Sequence, residues 1–310
     1  MVEGFPVVTL SSSGAGVDAT FVPSVGMVGC SLRSHGAELL HTRDGLASYA
    51  ARGRTMGIPF LHPWANRLSE RRFTVAGNVV DLTAASSSVK EDDRGMPIRG
   101  LVAASPHWEV FGREAGESGA RLAARLDWTL HPELMTAFPF PHEVEIEVHL
   151  EEATLSISTT LCATGEVSVP VSFGYHPYFR LPDLTRAEWQ VSMPVRRRVV
   201  VDDGMIPTGA SEAVNITPGP LGERVYDDGF DDIDDGSVFE LWGGGRRVAV
   251  EFREGYSVAI VWVPPEKELI CFEPMTARTN ALVSEDNSLR LVEPGSSHTA
   301  VFSITASLID

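Results

Sequence analysis

Cysteine is scarce in this chain: Cys30, Cys162 and Cys271 lie far apart and form no C-x-x-C pair. So odd and sparse a set argues against a disulfide framework and fits a reducing compartment. Basic residues are the second shortage, 25 Lys and Arg against 42 Asp and Glu, for a formal net charge of −17. A surface this acidic repels phosphate backbones and anionic lipid, which makes nucleic acid and membranes poor partners. Long apolar runs are missing too. No window approaches the roughly 18 uninterrupted apolar residues of a membrane span. Met1-Val2-Glu3, Pro6, the serine run at 11–13 and Gly14 leave neither a basic n-region nor an apolar h-region for secretion. The expectation is a cytoplasmic protein.

Helical periodicity is equally thin. The best stretch, 34–51, is interrupted by Gly36 and Gly45 and has irregular apolar spacing. Several motifs are absent: G-x-G-x-x-G, the P-loop, H-E-x-x-H and the G-x-S-x-G elbow. Dinucleotide, nucleotide and α/β-hydrolase chemistry thereby lose their usual signatures. The run starting at Asp231 imitates a calcium loop, but its third and twelfth positions are Ile233 and Trp242, which carry no ligand oxygen. No His, Cys or carboxylate spacing marks a transition-metal site, so no metal is expected.

What is present is alternation. Val144, Ile146, Val148 and Leu150 alternate with Glu143, Glu145, Glu147 and His149. After a turn at 151–153, Leu155, Ile157, Thr159 and Leu161 alternate with Thr154, Ser156 and Ser158. A period of two with one apolar face predicts a hairpin against a core, with its other face in water. The texture returns at 247–252, 258–263 and 299–308, in segments rich in β-branched residues. Scattered Gly (28) and Pro (20) supply turns for many short strands. With no low-complexity linker and no fixed repeat, residues 1–310 read as a single all-β domain, a large antiparallel β-sandwich with few short helices. The acidic run 227–235 reads as a solvated loop, and the 143–161 hairpin as an edge open to dimer pairing. Monomer and homodimer both remain open.

Four segments carry chemistry. They are Gly57-Ile58-Pro59-Phe60-Leu61-His62-Pro63-Trp64-Ala65-Asn66-Arg67-Leu68, Phe173-Gly174-Tyr175-His176-Pro177-Tyr178-Phe179, Tyr226-Asp227-Asp228-Gly229-Phe230 and Ile270-Cys271-Phe272-Glu273-Pro274-Met275-Thr276. In this order, with a Leu291-Val292-Glu293-Pro294-Gly295 turn near the end, the chain resembles the aldose 1-epimerase (galactose mutarotase) family over most of its length. The resemblance implies a supersandwich with a sugar cleft, no cofactor and a small-molecule hexose as partner. It implies that His176 is the catalytic acid and Glu273 the catalytic base. It further implies that Arg67, with Asn66 beside it, and Asp227 bind sugar hydroxyls, with Asp228, one residue away, the alternative to Asp227.

Those residue types suit the reaction. Anomers interconvert when the ring opens, C1–C2 rotates and the ring closes on the other face. Opening needs a proton on the ring oxygen and the loss of one from the C1 hydroxyl, hence an acid and a base. A histidine titrating near neutrality suits the donor. A carboxylate among Cys271, Phe272 and Pro274 should have a raised pKa and be a better base. Trp64, Tyr175, Tyr178 and Phe179 are candidates to pack on a pyranose face.

One position departs from the family pattern. Where most active members carry His-Gly, Met96-Pro97-Ile98-Arg99-Gly100-Leu101-Val102 places Arg99. A guanidinium donates hydrogen bonds but cannot exchange a proton. Three readings follow: catalysis by His176 and Glu273 alone, preference for an anionic (phosphorylated or uronate) sugar, or sugar binding without catalysis. The first is favoured. Taken singly, the residues have blander readings. His176 reads as a core histidine, Glu273 as a buried partner of Arg67 or Arg278, and Asp227 as a loop-surface acid. His62 and His131 precede prolines and read as turn formers, and His107 as packing.

Overall fold

A computed structural model of the chain describes residues 1–85, 89–116, 119–265, 267–284 and 289–309. The alternation at 143–161 becomes the antiparallel strands His142–Glu151 and Thr154–Ala163. Partners across the pair share a face: Val144 with Leu161, Val148 with Ile157, Leu150 with Leu155. All six are buried. Burying one such side chain stabilises by about 1.5–3 kcal/mol, and a one-residue slip would expose the whole set, so the pattern fixes the register.

That hairpin lies inside a nine-stranded sheet. In spatial order the strands are Gly219–Pro220, Gln190–Ser192, Ser237–Gly243, Arg246–Glu254, Ser297–Leu308, Thr154–Ala163, His142–Glu151, Gly119–Asp127 and Glu109–Gly116. A second main sheet runs Pro207–Ala213, Arg197–Val201, Tyr226–Asp231, Val258–Val263, Ile270–Met275, Gly174–Tyr175 and Phe60–Leu61, with Tyr178–Phe179 also paired to Ile270–Met275. Pairing in both is antiparallel. The sheets meet through aromatic side chains. Phe239 of the first lies 5.5 Å from Phe272 of the second between ring centroids, and Phe302 lies 4.9 Å from Tyr175. The fold is therefore the expected antiparallel β-sandwich.

Three expectations need correction. Residues 34–51 are not one helix: Ala37–Glu38 is strand and only Leu46–Arg52 is helical. Gly36 turns the chain at φ +79°, and Gly45 and Gly53 bound the helix at φ +86° and +65°. Only the second half of the acidic run is a solvated loop: Tyr226–Asp231 is a strand, while Asp232, Asp234 and Asp235 beyond it are exposed. Asp231 is buried, held by Arg278, Arg197 and Ser211. The 143–161 hairpin offers no free edge, since Gly119–Asp127 and Ser297–Leu308 pair with its two sides. Among the described residues no helix is long and apolar enough to cross a membrane.

Candidate active site

The eight-stranded sheet aligns the carboxylates. Glu273 is opposite Ile260 on the neighbouring strand, and Ile260 is opposite Gly229 on the next. Cross-strand partners share a face, and so do residues two apart, which puts Asp227 on the face of Glu273. Asp228 therefore points the other way, and its carboxylate lies 3.6 Å from Arg198. Parity thus resolves which of the two aspartates faces the cleft.

His176 arrives by a different route. Gly174 pairs with both Leu61 and Met275. A Cβ at 174 would lie 2.2 Å from Met275 Sδ, so only glycine lets the three segments close up. The backbone N–H of His176 donates to Pro59 O at 3.3 Å and that of Tyr178 to Gly57 O at 2.8 Å. The same 57–68 segment carries Asn66 and Arg67, and the loop with Arg99 is tied to it. Arg99 N donates to Asn66 O (3.0 Å) and Leu101 N to His62 O (2.7 Å). Gly100 sits so close that a Cβ would lie 2.2 Å from His62 O. Arg99 itself has φ +66°, an uncommon conformation for a non-glycine residue and one concentrated at functional sites.

These residues meet around one cleft of about 560 Å³, counted with its open mouth. Asn66, Arg67, Arg99, His176, Asp227 and Glu273 line it, with Ile260 and Trp262 as apolar wall. His176 Nδ1 lies 3.3 Å from Glu273 Oε1, and both side chains are buried. Arg67 donates from Nε to Asp92 (2.8 Å), so its charge is already balanced. Arg99 has no carboxylate within ion-pair distance among the described residues. Neither Arg67 nor Arg278 is the partner of Glu273: Arg278 is bound to Asp231.

Burial raises the Glu273 carboxyl well above its ordinary 4.5, with the Arg99 and Arg67 cations opposing. Burial lowers His176 well below 6.5, assisted by the Arg99 and Arg43 cations. Against the expectation of a histidine titrating near neutrality, burial shifts it downward and disfavours the imidazolium. The Asp227 carboxyl is raised by desolvation in the cleft walls, against the pull of Arg67 and Arg99.

The aromatic expectations change places. Trp64, Tyr175, Tyr178 and Phe179 are core residues, none more than 3% exposed, and none lines the cleft. Trp262 lines it instead, edge-on to His176 at 5.8 Å. Its signal was its place in an alternating strand, two residues from Ile260, which becomes readable only once the pairing to Asp227 is known. Tyr178 stacks on the His176 ring at 4.4 Å and 5°. Its hydroxyl lies 3.3 Å from Nε2, over the ring and not along the lone pair, because the planes are parallel. That hydroxyl is held by Thr55 Oγ1 at 2.6 Å and by Arg43 Nη1 at 3.3 Å. Sequence reasoning missed both residues.

Four further histidines pack in two pairs away from the cleft. His62 and His142 form a buried pair with Nε2 atoms 2.8 Å apart, and His142 Nδ1 donates to Phe140 O at 2.6 Å. His107 and His131 stack at 3.8 Å, with Glu133 at 3.2 and 4.0 Å. Among the described residues, two groups have potential ligand atoms within 4.8 Å of one another: His107, His131 and Glu133; and His176, Cys271 and Glu273. Neither fits a metal well. The first pair of rings is near parallel, so their lone pairs do not converge. Burial holds the Cys271 thiol protonated, and the thiolate is the ligand form.

Over residues 9–305 the chain matches the family model for aldose 1-epimerase. A solved structure from Synechocystis sp. PCC 6803 is 23% identical, with a TM-score of 0.80 over 99% of this chain and 97% of that one. A galactose mutarotase-like protein from Clostridium acetobutylicum is 19% identical, with a TM-score of 0.84 over 98% and 99%. Galactose 1-epimerase from Lactobacillus acidophilus is 12% identical, with a TM-score of 0.77 over 97% and 94%. At these identities the likeness is one of fold. No curated protein is significantly similar in sequence.

Proposed function

The chain belongs to the aldose 1-epimerase family, and on that premise we propose that it interconverts the α and β anomers of a free hexose, with His176 and Glu273 as the acid–base pair. The observation that carries this reading is their 3.3 Å contact at the base of a cleft otherwise lined by Asn66, Arg67, Arg99 and Asp227. Burial favours one proton on the pair, held by the carboxyl, beside a neutral imidazole. Moving that proton across the contact gives a carboxylate and an imidazolium. Glu273 then takes the proton of the C1 hydroxyl while His176 donates to the ring oxygen, and C1–O5 opens. Rotation about C1–C2 and the reverse transfers close the other anomer, leaving the pair as it began. Asp227, Asn66 and Arg67 hold the remaining hydroxyls. Nothing in the cycle calls for a cofactor.

The test is polarimetry on freshly dissolved α-D-glucose and α-D-galactose. Wild type is expected to hasten relaxation, and Glu273→Gln and His176→Ala each to slow the catalysed rate by roughly 10²–10⁴-fold. Wild-type rates equal to those of buffer would sink the reading.

The unpaired guanidinium of Arg99 supports a second reading, a sugar that carries a carboxylate or phosphate. It predicts that glucuronate or glucose 6-phosphate competes for the cleft more strongly than glucose. Equal competition would count against it.

A further inference from the structure

Arg67 is held from behind the cleft wall. Its Nε donates to Asp92 Oδ2 at 2.8 Å, and its Nη1 lies 3.4 Å from Asn66 Oδ1. A guanidinium is a rigid planar fork, so contacts at Nε and Nη1 fix the plane in which its other N–H groups lie. The second oxygen of Asp92 closes the loop that leads to Arg99. Oδ1 accepts the backbone N–H groups of Arg94 (2.9 Å) and Met96 (3.0 Å), and Asp92 N donates to Met96 O at 2.9 Å. Past that turn the chain runs beside the arginine segment. Leu68 N donates to Pro97 O at 2.9 Å, and Arg67 forms an antiparallel bridge with Ile98. One carboxylate thus ties both arginines of the cleft, Arg67 directly and Arg99 through the loop. The Asp92 side chain is only 9% exposed, whereas Asp93 beside it is in water.

Charge is the second observation. The cleft is lined by two cations, Arg67 and Arg99, and two acids, Asp227 and Glu273. Desolvation raises both acids. Asp92 goes the other way. Burial works to raise it too, but the Met96 amide, Arg67 and the Arg94 amide outweigh burial and hold its carboxyl below the ordinary 3.8. The firm counter-ion of Arg67 is therefore Asp92, which does not itself line the cleft. A sugar meets the guanidinium without having to displace the carboxylate.

We infer that Asp92 is a positioning residue of this site, which fixes the Arg67 fork toward sugar hydroxyls and cancels its charge, biasing the cleft toward an uncharged sugar. The inference rests on the cleft being the hexose site. Asp92→Asn separates its two tasks. The amide keeps an oxygen for the Arg94 and Met96 N–H groups, so the loop stays closed, but it turns an NH₂ toward Arg67 Nε and releases the fork.

Calorimetric titration with glucose and glucuronate tests this on wild type, Asp92→Asn and the neighbouring Asp93→Asn. Asp92→Asn should weaken glucose about tenfold, the effect of one misplaced charge-assisted hydrogen bond. It should weaken glucuronate at least about threefold less, because a negative charge behind Arg67 is gone. Asp93→Asn should leave both Kd values within about twofold, since its charge is screened by water and salt. In polarimetry Asp92→Asn should raise KM and leave kcat within about threefold, the signature of lost binding with Glu273 and His176 untouched. On an Arg67→Met background, Asp92→Asn should not change the glucose Kd further.

Additive losses in that double variant would mean that Asp92 serves the loop alone and would overturn the proposal. So would a wild-type glucose Kd in Asp92→Asn, an unchanged glucose-to-glucuronate preference, or an equal effect from Asp93→Asn. Should Asp92→Asn not fold, Arg67→Lys keeps the cation without the Nε–H and should show the same tenfold loss of glucose. A wild-type Kd there also overturns it. Binding and turnover are read apart. Glucose binding that depends on Asp92 without faster mutarotation removes the catalytic assignment alone, and faster mutarotation that Asp92→Asn leaves unaltered removes the role of Asp92 alone.

Discussion

Glu273 and His176 lie 3.3 Å apart with their pKa values pushed in opposite directions, upward for the carboxyl and downward for the imidazole. The productive state holds one proton between them, so kcat/KM should be bell-shaped. The acid limb is expected below pH 6.5, because a lowered His176 takes the second proton only there. The alkaline limb is expected well above pH 4.5, because a raised Glu273 keeps its proton longer. Arg43 offers a finer test. Its cation lowers His176 but does not act appreciably on Glu273. Arg43→Met should move the acid limb to higher pH and leave the alkaline limb in place, as read from polarimetric rates across pH. A shift of both limbs would show that Arg43 acts on the pair as a whole. That these two residues belong to one site was legible from their motifs. The contributions of Arg43 and Thr55 were not, because both meet the Tyr178 hydroxyl from more than 120 residues along the chain.

Among the elements, the 57–68 segment and the loop at 96–102 hold one wall of the cleft by backbone contact. Gly100→Ala would drive a methyl into His62 O and strain a position at φ +69°. The expected cost is about 2 kcal/mol or more by urea denaturation, with weakened sugar binding as Arg99 moves. The buried His62–His142 pair ties the same segment to the nine-stranded sheet. Burial lowers both, His142 to about 4. A histidine whose folded pKa is depressed contributes full stability above its unfolded value near 6.5 and loses it as pH falls toward the folded value. His142 alone should cost on the order of 3 kcal/mol between pH 6.5 and 4. Urea midpoints at pH 7 and pH 4.5 check this, and equal midpoints would contradict it. Alternation marked His142–Glu151, Thr154–Ala163, Arg246–Glu254, Val258–Val263 and Ser297–Leu308, and left Glu109–Gly116, Gly119–Asp127 and Ser237–Gly243 unmarked. Local pattern misled at 34–51 and at 227–231, where single glycines and the arginine partners of buried Asp231 outweigh it.

At the scale of the molecule, two sheets press aromatic faces together, and one of them carries the site on its opposite face. Phe272 is fully buried between the sheets, while its neighbour Glu273 points into the cleft. Phe272→Ala should cost about 3–5 kcal/mol in urea unfolding, by lost burial and an unfilled cavity. What activity survives at low temperature should keep the pH profile of wild type. The sandwich thus separates stability from chemistry by strand parity, core on one side and cleft on the other.

The sequence by itself determined the class of fold, because alternation of apolar and polar residues is a local property of each strand. It also determined which residue types stand at the four motifs, and so which chemistry they permit. Only the tertiary structure decided the rest. Strand order brings together residues more than 200 positions apart, such as Asn66 and Glu273, through hydrogen bonds that no local pattern specifies. Strand parity then turns Asp227 inward and Asp228 away, and sends Tyr175 to the core and Trp262 to the cleft. Pairing sets neighbours and burial sets charge state, and both arise from contacts distant in the chain.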